Sequence, residues 1–385
     1  MSDNRYISLA LKLARRAYGE TSPNPMVGAV LVKRGRIIGQ GWHHRAGGPH
    51  AEIEALRDAA KKGNSVKGAT LYVTLEPCCT HGRTPPCTNA IIAAGIKRLV
   101  VGAKDPNPKH AGRGFKVLKR AGVNPTLTAS RDLAAKCAQL NESFNHWIVR
   151  RAPFVTVKAA MTLDGKIATA GGESKWITGP KARAYGMELR QAADVVLVGI
   201  NTVLADDPSL TVRPIRGSKY QVQSLRRRII LDSMARTPLT AKVVSDEFAA
   251  LTTVVVSAAA PKMRVKALLK RVKVLVAPTT KSKLKNQHSQ IDLRWLMKKL
   301  GAENVTSLLV EGGGEVNASF LLGGLAQRVA FFYAPKILGG RAARKGVAGD
   351  GVARVSEMIK LRDLDWQWLG PDLLLTGSVV NRHRM

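Results

Sequence analysis

Cysteine is scarce in this chain. It has four in 385 residues: Cys78, Cys79 and Cys87 fall close together, and Cys137 stands alone. That is too few and too clustered for a disulfide framework. It suits a metal or redox centre in a reducing compartment, so the cytoplasm is the expected location. Cys137 reads as a small buried apolar residue. Acidic residues are also few, 27 Asp and Glu against 61 Lys and Arg, for a net charge of +34. The excess is +15 over residues 1–150 and +19 over the rest, so it is not a basic tail. Such a field attracts polyanions, phosphorylated metabolites among them. A nucleic-acid reader needs basic stripes interleaved with aromatic platforms, and only 5% of residues are aromatic. No specific nucleic-acid partner is therefore expected. No apolar run approaches the roughly 18 residues of a membrane span. Tyr6, Leu9, Ala10, Leu13 and Ala17 sit at helical spacing, interrupted by Lys12, Arg15 and Arg16. The start of the chain reads as an amphipathic helix and not as a secretory signal.

The length suggests two domains, and 45% hydrophobic content allows each a core. Strands are predicted at 27–32, 37–41, 70–75 and 98–102, with helices at 50–60, 87–94, 115–121 and 133–145. Arg150-Arg151-Ala152-Pro153 marks a boundary between domains 1–150 and 151–385. Beyond it, strands are predicted at 154–159, 195–199, 228–231, 253–257, 272–276, 307–310, 329–333 and 373–377. Helices are predicted at 181–192, 293–300 and 316–322. The polar stretch 279–290 reads as a surface loop. Strands alternating with helices give an α/β class in both halves.

His50-Ala51-Glu52, Glu76-Pro77-Cys78 and Cys87 supply one imidazole, two thiolates and a carboxylate that need not ligate. Three ligands with an open position, plus a group to move protons, make a zinc hydrolase. The pattern H-x-E…P-C-x-x-C is the signature of zinc deaminases acting on nucleobases. Here eight residues separate Cys78 from Cys87. Cys78 follows Pro77 as the signature requires and is preferred to Cys79, since adjacent cysteines rarely bind one ion; His81 would abandon the motif. Zinc lowers the pKa of its bound water, and Glu52 is placed to take that proton.

The stretch from Leu75 to Cys87, with Gly82-Arg83-Thr84-Pro85-Pro86 inside the long gap, resembles the zinc loop of the bifunctional riboflavin-biosynthesis deaminase/reductases. Tyr18-Gly19 and Ser22-Pro23-Asn24-Pro25-Met26-Val27-Gly28 resemble that family's substrate-binding segment. The resemblance implies zinc on His50, Cys78 and Cys87 and a proton shuttle at Glu52. The family often has His two residues after the first Cys, where this chain has Thr80 followed by His81.

The second half has no complete G-x-G-x-x-G; Gly312-Gly313-Gly314 precedes a helix and suits a phosphate only weakly as a bare motif. Fragments 158–166, 174–178, 204–208 and 310–313 resemble the family's reductase half, similar in fold to dihydrofolate reductase. The resemblance implies a cytidine-deaminase-like α/β/α domain followed by a dihydrofolate-reductase-like α/β domain. It implies NADPH contacts at Ala160, Trp176, Thr202, Asp206, Ser233, Gly313, Gly314, Glu315, Val316, Asn317, Ala318 and Ser319. It implies substrate contacts at Ser174, Arg190, Leu210, Arg213 and Glu311, the two arginines being cations suited to a 5′-phosphate. The expected activity is deamination of 2,5-diamino-6-ribosylamino-4(3H)-pyrimidinone 5′-phosphate, followed by NADPH reduction of the ribosyl group to ribityl. Zinc and NADPH are the expected cofactors, and a homo-oligomer is expected. The alternative is a tRNA-type base deaminase with a basic accessory domain, which the charge favours.

Overall fold

The structure, a computed structural model, describes residues 3–81, 85–108, 110–212, 226–278 and 291–380. Arg213 and the stretch 279–290 lie outside the described residues. The chain divides into two units, Met1–Arg151 and Ala152–Met385. Among the described residues no helix is long and apolar enough to cross a membrane.

The first unit runs α1 (Asp3–Ala14), β1 (Gly28–Lys33), β2 (Arg36–Trp42), α2 (Ala51–Lys61), β3 (Thr70–Leu75), α3 (Cys87–Ala93), β4 (Arg98–Ala103), α4 (Arg113–Arg120), β5 (Asn124–Leu127), α5 (Arg131–Leu140) and α6 (Glu142–Arg150). Its sheet has the order β2-β1-β3-β4-β5. β1 is antiparallel to β2 and β3, while β3, β4 and β5 are parallel. Successive strand residues point to opposite faces. Ala29, Leu31, Leu71, Val73, Leu99 and Val101 pack on Ala51, Ala55 and Ala59 of α2, Ile91 of α3 and Leu118 of α4. Val30, Val32, Tyr72 and Val100 pack the other way, on Ile7, Ala10 and Leu11 of α1 and Leu133 and Cys137 of α5. Helices thus cover both faces. Burial pushes the Cys137 thiol up to about 12, which leaves it inert.

Two features of this unit differ from the sequence reading. The short edge strand β5 was not foreseen. The single helix expected over 133–145 breaks at Asn141, whose side chain accepts from the Met26 amide at 2.7 Å and donates to the Met26 carbonyl at 2.9 Å. An amide that completes a strand-like pair with a distant backbone competes with helix propagation.

The second unit runs β6 (Phe154–Thr162), β7 (Lys166–Ala168), α7 (Pro180–Ala192), β8 (Val195–Gly199), α8 (Ile200–Asp206), β9 (Arg227–Leu231), α9 (Lys242–Ser245), β10 (Thr252–Ser257), α10 (Lys262–Leu269), β11 (Lys273–Ala277), α11 (Leu293–Ala302), β12 (Ser307–Val310), α12 (Gly314–Leu322), β13 (Arg328–Ala334), β14 (Arg344–Lys345), β15 (Lys360–Leu369) and β16 (Asp372–Val380). Nine strands form one sheet, β11-β10-β9-β8-β12-β6-β13-β16-β15. It is parallel from β11 through β13, with β16 and β15 antiparallel at one edge. Val155, Leu197, Ile229, Val255 and Leu308 pack under α11 and α12. Val196, Val198, Ile230, Val254 and Val256 pack under α8, α9 and α10.

β12 inserts between β8 and β6, so the chain leaves β8 in one direction and β12 in the other. A parallel sheet opens a ligand crevice at the carboxyl ends of its strands where the order reverses in this way. The ends of β8, β9 and β12 meet there.

Candidate functional site

In the first unit β2 and α2 set the geometry. A methyl on Gly41 would lie 2.6 Å from the Ala51 carbonyl and 2.6 Å from Glu54 Cβ. Only glycine lets the first turn of α2 sit this close to the strand. His50 is the residue before that helix and Glu52 lies in its first turn. Cys78 follows β3, and Cys87 opens α3 after Pro86.

The ligand atoms of His50, Cys78 and Cys87 all lie within 4.8 Å of one another. His50 Nδ1 is 3.2 Å from Cys87 Sγ and 3.6 Å from Cys78 Sγ. A tetrahedral ion with bonds of about 2.0 Å to nitrogen and 2.3 Å to sulfur places such atoms about 3.5 Å apart, so the group fits zinc. The Cys87 amide donates to Cys78 Sγ at 3.3 Å. Hydrogen bonding from Cys87 lowers the Cys78 thiol to about 4, against burial and with help from His50. Hydrogen bonding to Cys78 raises the His50 imidazole. Cys79 turns away: its Sγ is 3.7 Å from His110 Nδ1, and burial raises its thiol. His110 Nε2 is 3.4 Å from Thr80 Oγ1, so Thr80, where this loop departs from the family, meets the same ring as Cys79.

Glu52 is 3% exposed. Burial raises its carboxyl against the pull of His50, and it hydrogen-bonds Cys87. A carboxyl tuned upward beside the ligand cluster is suited to shuttling protons near neutral pH.

Sequence reasoning missed the parts played here by two residues, His43 and Glu76. His43, 2% exposed, stands edge-on to His50 with ring centroids 5.3 Å apart. Its Nδ1 donates to the Pro49 carbonyl at 2.9 Å, which leaves Nε2 to accept from Asn24 Nδ2 at 3.1 Å. Burial lowers its pKa and keeps the ring neutral. Asn24 belongs to the segment whose resemblance was noted; nothing in the sequence singled out His43. Glu76 is 3% exposed and accepts the backbone amides of Asp105 at 3.3 Å, Gly112 at 3.1 Å and Gly114 at 3.1 Å. It pins Asp105, Gly112 and Gly114 close to the loop that carries Cys78, a role invisible in a motif read along the chain.

In the second unit a cavity of about 2000 Å³ opens at the ends of β8, β9 and β12. Among the residues named from the sequence it is lined by Ser174, Thr202, Asp206, Ser233, Gly313, Gly314, Glu315, Val316, Ala318 and Ser319. Ser174 Oγ donates to Asp206 Oδ1 at 3.1 Å. Gly313 caps α12. A side chain on Gly314 would collide with the Lys345 carbonyl, and the Ala348 amide donates to the Gly314 carbonyl at 3.1 Å. A strap of 344–349 therefore crosses the glycine turn. The volume exceeds that of drug-sized pockets, and the backbone amides of a nine-residue helix open into it, which fits a dinucleotide.

The structure does not bring Ala160, Trp176 or Asn317 to the lining of that cavity. Ala160 packs beside the Phe332 cluster, and Asn317 is buried with its Nδ2 on the Gly346 carbonyl at 2.8 Å. Trp176 is 65% exposed under the Arg183 guanidinium, 4.6 Å from the ring centre. Arg190 and Glu311 meet each other: Nε donates to Oε1 at 2.9 Å and Nη2 to Oε2 at 2.7 Å. The guanidinium expected to face a phosphate thus turns its fork to a carboxylate. Its Nη1 donates to the Thr211 carbonyl at 3.1 Å, beside buried Leu210.

The deaminase zinc-binding region family, described as cytidine and deoxycytidylate deaminase, matches residues 1–103, and the RibD C-terminal domain matches 153–375. Riboflavin biosynthesis protein RibD of Aquifex aeolicus is 44% identical over 375 residues, covering 97% of both chains. That of Escherichia coli is 39% identical, covering 97% of this chain and 99% of its own. The chain belongs to the RibD family.

RibD of Acinetobacter baumannii superposes with a TM-score of 0.83 at 36% identity, covering 98% of this chain and 99% of that one. The Thermotoga maritima diaminohydroxyphosphoribosylaminopyrimidine deaminase/5-amino-6-(5-phosphoribosylamino)uracil reductase gives 0.80 at 34% identity, with the same coverage. As a RibD, the chain is a bifunctional enzyme of riboflavin biosynthesis, a zinc-type deaminase joined to a reductase with a dihydrofolate-reductase-like fold. The tRNA-type deaminase alternative is not favoured, because the likeness extends over both halves.

Proposed function

We propose that the first unit deaminates 2,5-diamino-6-ribosylamino-4(3H)-pyrimidinone 5′-phosphate. The second reduces the product, 5-amino-6-(5-phosphoribosylamino)uracil, with NADPH. The observation that carries the reading is the convergence of His50, Cys78 and Cys87 with buried Glu52 beside them.

His50, Cys78 and Cys87 would hold a zinc ion, which would supply the Lewis acidity that makes water a nucleophile near neutral pH. Glu52 would carry two protons in turn: one from the water that adds to the amino-bearing carbon, passed to the ring nitrogen, and one from the hydroxyl so formed, passed to the amino group, which leaves as ammonia while the carbonyl closes. His43, neutral and held by Pro49 and Asn24, presents a fixed wall to the pyrimidine.

In the second unit Gly313, Gly314 and the start of α12 would hold the phosphates of NADPH, which would supply a hydride when bound. Thr202, Asp206 and Ser233 would hold the donor, and Ser174, Arg190, Leu210, Arg213 and Glu311 would contact the phosphoribosyl substrate. Their work is alignment of two carbons, while the hydride chemistry is the cofactor's. The enzyme acts in the cytoplasm as a homo-oligomer, joined through the exposed edge of β15, and engages no specific nucleic acid.

A coupled assay on the full chain tests the two-site reading. Glu52→Gln stops deamination and leaves reduction of supplied 5-amino-6-(5-phosphoribosylamino)uracil intact. Asp206→Asn impairs mainly reduction. A Glu52→Gln protein that still deaminates, or one that loses both steps together while folded, contradicts it.

A further inference from the structure

Arg228 lies in β9 with its side chain 1% exposed. All five of its N–H groups are used. Nε donates to Thr252 Oγ1 at 2.8 Å. Nη1 donates to the Ser209 carbonyl at 2.8 Å and to Asp246 Oδ2 at 2.6 Å. Nη2 donates to the Val243 carbonyl at 3.1 Å and to Asp246 Oδ1 at 2.7 Å.

Burying a guanidinium is costly unless every donor is matched, and a well-packed apolar pair in place of a buried ion pair is often as stable. Stability alone is thus a weak reason for Arg228. The bond that an apolar residue cannot reproduce is the one to Ser209. The segment after α8 contains two non-glycine residues in the left-handed region, Asp207 at φ 40° and Leu210 at φ 55°. Such a backbone persists only where its surroundings over-determine it. Here the Lys242 amide donates to Asp207 Oδ1 at 2.9 Å, and Ser209 Oγ pairs with Thr211 Oγ1 at 3.0 Å. Arg228 holds the carbonyl before Leu210, and Arg190 holds the one after it. Two buried arginines from different elements clamp alternate carbonyls of one turn.

We infer that Arg228 is a positioning residue for the reductase substrate: with Asp246 it fixes the 207–212 turn, so that Leu210 and the Arg190–Glu311 pair meet the phosphoribosyl substrate in register. The inference rests on the substrate reading proposed above. It predicts an effect on the substrate side and none on NADPH.

The decisive variant is R228M/D246L in the full chain, an apolar pair of similar volume. It keeps the melting temperature within about 3 °C. It lowers kcat/KM for 5-amino-6-(5-phosphoribosylamino)uracil by about 10- to 100-fold, mostly through KM, the cost of a small misplacement. NADPH affinity, read by fluorescence titration, stays within about twofold, well short of one hydrogen bond. Arg228→Lys, which keeps the charge but loses the fork, falls between wild type and the double variant, and decides the matter alone if the double variant does not fold. Wild-type substrate KM and kcat in these variants, or equal weakening of NADPH and substrate, overturns the inference. Arg190→Lys is measured in parallel. If it raises substrate KM while the Arg228 variants do not, only the inference fails. If it too leaves substrate KM unchanged, the substrate reading fails and the inference with it.

Discussion

Arg190 and Glu311, 121 positions apart, meet through two parallel hydrogen bonds of 2.9 and 2.7 Å. The side chains are only 13% and 9% exposed. Burial alone would raise the Glu311 carboxyl; the charges of Arg190 and Lys158 outweigh it and bring the group from its ordinary 4.5 down to about 2. Because the folded value is the lower one, the stabilisation is fully present above about pH 4.5 and is lost as pH falls toward 2.

Glu311→Gln leaves the Arg190 charge buried without a counter-ion, and the expected loss is about 3 kcal/mol at neutral pH. Melting curves for wild type and variant, taken as the pH is lowered, should converge in the acid range. A gap in melting temperature that stays constant from neutral pH down to pH ~3 would show that the pair does not titrate as described.

The cysteines separate by environment. Cys78→Ser should abolish bound zinc and deamination, because one of three ligands is lost. Cys79→Ser should retain one zinc per chain, since Cys79 Sγ faces His110. Metal analysis of the purified variants checks both. Chelation of the wild type should stop deamination and lower the melting temperature of the first unit, while NADPH-dependent reduction continues.

Much of this arrangement was legible in the chain, for a physical reason. His50, Cys78 and Cys87 each stand at a strand end or a helix start, and such positions converge when the strands are neighbours in one sheet. Strands such as 195–199 and 307–310 were readable because they are continuous apolar runs buried on both faces. Glu76 and Arg228 were not readable. The partners of Glu76 lie 29 to 38 positions away, and Arg228 is one of 61 basic residues. β15 was missed because its alternation is broken by an irregularity between Arg362 and Asp365 and its apolar side chains point outward. The helices α8, α9 and α10, at the other end of the sheet, were not foreseen either, because they are short and carry little amphipathic signal over so few residues.

That same edge strand carries the third prediction. Leu364, Trp366 and Trp368 are 51%, 54% and 71% exposed on the last strand of a nine-stranded sheet. An uncovered edge with large apolar side chains is a template for association. W366K/W368K should shift the enzyme to a smaller species in sedimentation velocity without changing its melting midpoint by more than a few degrees. An unchanged sedimentation coefficient would place the contact between copies elsewhere.

Gly41 links fold to chemistry most directly. Its missing side chain is what allows α2 to begin against β2, with the Ala51 carbonyl and Glu54 Cβ each 2.6 Å from where a methyl would stand. Since both obstacles belong to the helix and not to a flexible chain end, the helix itself must retreat. His50 and Glu52 ride on that first turn, so Gly41→Ala should separate the imidazole from the two thiolates by a few tenths of an ångström or more. Metal sites tolerate little displacement of their ligands. The expected result is a fall in zinc affinity of about tenfold or more and a matching fall in deamination, with the circular dichroism spectrum retained. Gly35→Ala serves as the control: it has positive φ but nothing within 4 Å, so it should cost about 1 kcal/mol of stability and leave zinc binding alone. Equal zinc affinity in both variants would mean that the approach of α2 to β2 is not what sets the ligand geometry.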